Sequence, residues 1–143
     1  MNQLKTIDPK NIPVVPVRKE YAFYSPVQVE EQVNLAYDLY RNGDFEKAYT
    51  YFIRSLEIKE TSLANRCIGD ILFTRNDSTA LVYYQKAYSD YKLNIRFLLN
   101  MAILYVQYQQ KDDAKKLLEE IKKLNPDFKK IPQLEAEIKK LKV

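Results

Sequence analysis

Three small residues, Ala36, Gly69 and Ala102, stand 33 positions apart. Each is preceded by a larger apolar residue, Leu35, Ile68 or Met101, and followed three positions on by Leu39, Leu72 or Tyr105. A second series runs beside the first. Ala48, Ala80 and Ala114 are followed four positions later by Phe52, Tyr84 and Leu118, and then by Ser55, Ala87 and Ile121. Self-similarity at such a period means one supersecondary unit used several times. A single unit of this size cannot bury its apolar face alone, so the copies must stack. The small residues let helix axes approach, and the larger ones fill the space between them.

Between Pro26 and Pro126 there is no proline, and apolar residues recur at helical spacing between short polar turns. The pattern predicts helices near 26–41, 44–59, 62–74, 77–91, 94–108 and 111–124, with a last one near 132–142. Ser25, Pro26 and Gln28 read as an S-x-x-Q capping box with proline at the first helical position. Sustained two-residue alternation is absent after residue 28, which predicts an all-α fold. The chain holds two glycines. Gly43, within Asn42–Gly43–Asp44, suits the left-handed residue just past a helix end, with Asp44 able to cap the next helix. Gly69 suits the other demand, a close helix approach.

The aligned copies resemble the tetratricopeptide repeat, whose pattern is W-x2-L-G-x2-Y, then A-x3-F, then P. Three repeats cover residues 29–128, divided about 29–62, 62–94 and 95–128. The tryptophan position holds Gln32, Asn65 and Leu98, and the second unit is one residue short in its turn at "TRNDSTA". The proline position holds Glu60 and Lys92 in the first two units and is met by Pro126 in the third. The resemblance implies a right-handed superhelix of antiparallel helix pairs. Residues 129–143 would form a C-terminal capping helix, with Leu134, Ile138 and Leu141 on its inner face.

The resemblance also implies a non-enzymatic adaptor or scaffold that holds a peptide or partner protein on a concave face lined by the first helix of each pair. The positions expected there are Val33, Tyr37, Tyr40 and Arg41 in the first unit. Leu63, Arg66, Asp70, Phe73 and Thr74 come from the second, and Arg96, Leu99, Ile103, Val106 and Gln107 from the third. Such a groove is apolar and aromatic with a few polar fixtures. The family's clamp for a chaperone's C-terminal carboxylate needs Lys and Asn where this chain has Val33 and Tyr37, so a chaperone-tail receptor is not expected. Arg66, Arg96 and Asn100 nevertheless suit an acidic group.

Composition narrows the remaining classes. With no histidine and one cysteine, Cys67, the usual general base and transition-metal ligand are missing and no intrachain disulfide can form. No cofactor, metal, catalytic residue or small-molecule substrate is expected, and Cys67 reads as a buried packing residue. Net charge is +4, distributed as +2 over residues 1–28, −1 over 29–110 and +3 over 111–143. The C-terminal lysines alternate with Asp112, Asp113, Glu119 and Glu120, a solvated helix face rather than a phosphate-binding one. A nucleic-acid-binding helical repeat therefore ranks third among the functional readings.

No apolar run approaches the roughly 18 residues needed to span a bilayer, and the first residues lack the apolar core of a secretory signal. A cytoplasmic location is the default expectation. Residues 1–25 carry Pro9, Pro13 and Pro16, so they read as an extended arm. The arm is apolar for a linker, with Ile12, Val14, Val15, Val17, Tyr21, Phe23 and Tyr24. It is expected to lie against the array or to be shared with a second copy. The second functional reading follows: a structural subunit that self-associates or docks through this arm. A stable monomer by size-exclusion chromatography with light scattering favours the adaptor, and an obligate oligomer favours the subunit.

Overall fold

A computed structural model describes residues 26–142. The arm at 1–25 and the Ser25 cap lie outside the described residues. Seven α-helices follow one another: α1 (Pro26–Arg41), α2 (Phe45–Ile58), α3 (Ser62–Thr74), α4 (Ala80–Ala87), α5 (Ile95–Gln107), α6 (Lys111–Leu124) and α7 (Ile131–Lys139). There are no strands among the described residues. The helices pack as three consecutive hairpins, α1 on α2, α3 on α4 and α5 on α6, with α7 against α6 and α5. One apolar core runs through all seven.

Each hairpin is closed by the same turn. Gly43, Asn76 and Gln109 have φ of 86°, 56° and 59° and stand 33 residues apart. The N–H of each donates to the carbonyl three residues back, on Tyr40, Phe73 and Val106. The next N–H, on Asp44, Asp77 and Gln110, donates five back to Leu39, Leu72 and Tyr105 at 2.9, 2.9 and 2.8 Å. This paired arrangement is a Schellman stop, which needs a left-handed residue. Asp44 then caps α2, its Oδ1 accepting from the Lys47 N–H.

The short second turn has a local explanation. The predicted start at 77 is replaced by a tight entry, and α4 begins at Ala80. Asp77 Oδ1 accepts from the Thr79 N–H at 3.0 Å and from its hydroxyl at 2.7 Å. The N–H groups of Ala80, Leu81 and Val82 bond three residues back, which winds the first turn more tightly than an α-helix. The first-to-second helix turn is thus one residue short, and one extra residue between α4 and α5 restores the 33-residue phase: Ser55 stands 14 residues before Gly69, and Ala87 stands 15 before Ala102. At its other end α4 passes into a 3-10 turn, Tyr88–Asp90, rather than running to 91 as an α-helix.

The final helix keeps the same register. It begins at Ile131 and stops at Lys139, shorter than the expected 132–142. Ile131, Leu134 and Ile138 are buried at the positions that Leu98, Met101 and Tyr105 hold in α5. Leu141, expected on the same face, falls beyond the helix. Glu135 takes the small-residue position and pairs with Lys122 at 3.3 Å.

Gly69 shows why the small residue matters. A Cβ built there meets Tyr84 Cδ1 at 2.6 Å and Cε1 at 2.7 Å, because the tyrosine ring of α4 packs against the α3 backbone at Gly69. Tyr84 is fully buried, with Phe97 edge-on at 5.0 Å. Cys67 is also fully buried, and desolvation pushes its thiol up to about 12.

Candidate partner-binding face

The first helices of the hairpins carry the expected face, and each position must be judged by what it touches. Val33 does not lie on an open surface. It is buried in the core together with Ala36, one helical turn further on, so an aliphatic side chain expected in the groove is packing instead. Tyr37 and Tyr40 are half-buried and stack on each other, ring centroids 6.0 Å apart and planes within 16°. The exposed Arg41 sets its guanidinium 5.8 Å over Tyr37.

Tyr40 reaches the next hairpin, its hydroxyl donating to Asp70 Oδ2 at 2.8 Å. Asp70 Oδ1 accepts from the Tyr84 hydroxyl, which in turn accepts from Asn100 Nδ2 at 3.3 Å. One hydrogen-bonded chain therefore runs through α1, α3, α4 and α5. Burial, reinforced by the Asp70 carboxylate, raises both tyrosine hydroxyls well above their ordinary range. Asp70 thus acts as a hub satisfied from within the protein. Tyr84, which joins its halves, was legible in the sequence only as a packing position.

Arg66 sits beside this chain. Its guanidinium lies 4.9 Å over the ring of Tyr91 and donates to Cys67 Sγ at 3.8 Å, while its buried Nε has no partner among the described residues. With Tyr40, Asp70, Asn94, Phe97 and the exposed Arg96 it lines a small recess of about 50 Å³. Phe73 is half-buried, 6.5 Å from the Tyr84 ring.

The third hairpin offers a larger opening. Leu99, Ile103 and Val106 on α5 face Leu134 on α7 across a cleft of about 310 Å³, rimmed by Gln107, Lys130, Gln133 and Glu137. The α7 side of this cleft was not anticipated, since the last helix was read only as a lid. Its place in the 33-residue register was the signal that would have found it. Among the described residues no group of three or more Cys, Asp or Glu could hold a metal ion.

A stack of helical hairpins phased by repeated Schellman turns defines an α-solenoid. Residues 78–138, from the entry to α4 through most of α7, match the tetratricopeptide repeat family. That stretch is similar to tetratricopeptide repeats, a family that generally mediates protein–protein interaction. No curated protein matches the chain. Among the described residues no helix is long and apolar enough to cross a membrane.

Proposed function

We propose that this protein is an adaptor or scaffold that binds a peptide or partner protein on the face lined by α1, α3 and α5. In this reading the hairpins of residues 26–128 wind as a right-handed superhelix and residues 129–143 cap it. The observation that carries the proposal is the α5–α7 cleft. Leu99, Ile103, Val106 and Leu134 give it apolar walls, with amide and charged groups placed at the rim. That combination suits a short peptide segment held by its side chains and oriented by polar contacts. The Tyr37–Tyr40 stack and Phe73 extend the same face toward the first hairpin, with Arg66, Arg96 and Asn100 as its polar fixtures.

The test is a peptide-library screen with the full chain, repeated with Ile103→Ser and with a Tyr37→Ala/Phe73→Ala double variant. Circular dichroism serves as the control for folding. Selected peptides should lose at least roughly tenfold in affinity on losing either anchor, about the 1.4 kcal/mol at which truncated contact residues begin to matter. Peptides bound equally well by all three proteins would overturn the assignment of the face.

A further inference from the structure

The three hairpins use one helix stripe to meet the unit before them, and the first unit breaks the rule. In α3 that stripe is Ala64, Ile68 and Ile71, and in α5 it is Phe97, Met101 and Leu104, all buried to 3% exposure or less. At the same register α1 carries Glu31, Leu35 and Asp38, all exposed, with Leu35 at 48%. Beside them Gln32 has a buried Oε1 with no partner among the described residues. The edge therefore keeps a large apolar residue at its centre and surrounds it with acid. A terminal unit facing only solvent needs no leucine there.

We propose that this edge is the docking surface for the chain's own N-terminal segment, residues 10–24. The proposal goes beyond the partner-binding face, which lies along a different stripe of the same helices. Three observations select this occupant. The segment ends where α1 begins, so it is tethered beside the edge at high effective concentration. Leu35 lies nine residues into α1, about 14 Å along its axis, and five extended residues span about 17 Å. Every apolar residue from Tyr21 back to Ile12 can therefore reach it.

Charge is the third. α1 carries Glu30, Glu31 and Asp38 against Arg41 alone, while residues 10–24 carry Lys10, Arg18 and Lys19 against Glu20. Val14, Val15 and Val17 beside that basic pair supply what Leu35 lacks, and Arg18 and Lys19 answer Glu31 and Asp38. The opposite end of the array needs no such help, since α7 already buries Ile131, Leu134 and Ile138 there.

The experiment places a paramagnetic label on the full-length, 15N-enriched protein at Asn34→Cys, exposed and next to Leu35, and in a second sample at Gln133→Cys beside the α5–α7 cleft. Cys67 is buried and does not take the label. The amide signals of Val14, Val15, Val17, Arg18 and Lys19 should lose intensity with the label at 34 and keep it with the label at 133. Adding Leu35→Asp to the first sample should restore them while the helical signals stay in place. Three outcomes overturn the proposal. No loss at 34 makes the edge a bare polar cap. Loss only at 133 puts the segment in the cleft. Loss only when labelled and 15N-enriched chains are mixed makes a second copy the occupant.

Discussion

Replacing Gly69 with alanine tests how the repeat holds its helices together. In an open helix the change would stabilise the protein by about 1 kcal/mol, because glycine is the poorer helix former. Here the added methyl would stand 2.6 Å from Tyr84 Cδ1 and 3.2 Å from Cγ, so the obstacle includes the root of the ring and not only its tip. The ring has little room to retreat. Its hydroxyl is tied to Asp70 and Asn100, Phe97 abuts it at 5.0 Å, and it is fully buried. Overpacking a closed site costs about 1–3 kcal/mol. Dragging the hydroxyl off a carboxylate adds about 1.5–3 kcal/mol. After the propensity gain, Gly69→Ala should lose about 1.5–5 kcal/mol, a fall in Tm of about 4 °C for each kcal/mol in a domain of this size. Thermal and urea unfolding followed by circular dichroism measure it. A double-mutant cycle with Tyr84→Leu should recover much of the loss, since the methyl would then meet a smaller, movable side chain. An unchanged or raised Tm for Gly69→Ala would refute the argument, because it would show that the ring moves aside freely.

The three Schellman stops predict a graded response to glycine. Gln109→Gly should gain about 0.5–1 kcal/mol, the balance of about 1–2 kcal/mol of left-handed strain against glycine's entropy cost. Asn76→Gly should change little, and Gly43→Ala should lose about 1 kcal/mol although nothing crowds its Cβ position; melting curves for the series check all three. Alkaline pH should unfold the protein through its tyrosines. Burial raises Tyr83 and Tyr88 to about 12, and Tyr40 and Tyr84 are raised as well. The unfolded chain gives up these protons near pH 10, so their contribution is whole below that pH and is lost as pH climbs toward the folded values. Absorbance of tyrosinate and helical ellipticity should therefore change together above pH 10. Cys67, buried and pushed up to about 12, should react with a disulfide reagent at pH 8 far more slowly in the native protein than in denaturant.

The helices and their pairing were legible because period, small residues and turn residues all point the same way. Ser62–Thr74 falls where the pattern predicts it. What escaped has physical causes. The entry to α4 hides behind Ser78 and Thr79, which read as turn or helix alike until Asp77 is seen to bind Thr79. The stop at Gln109 is invisible by residue type, and Asn76, though a tolerated left-handed residue, stands out mainly by its distance from Gly43. Val33 was assigned by its place in the repeat, but burial of an aliphatic side chain beside Ala36 outweighed that place. Tyr84 was read for bulk, and its hydroxyl's link to Asp70 depends on a contact between helices that spacing does not reveal.

The shared turn at residues 43, 76 and 109 also says where this architecture tolerates editing. The residue lost at the head of α4 is returned by one extra residue between α4 and α5, so the second-helix alanines at 48, 80 and 114 shift while the first-helix positions 36, 69 and 102 keep their phase. A length change at the turn stays private to one hairpin when the connection after its second helix offsets it. The same change placed before the stop would rotate a whole first helix and carry every later contact with it. Stops at fixed intervals thus make each hairpin an interchangeable part, and a copy of residues 62–94 spliced at the same phase should lengthen the array without disturbing either end.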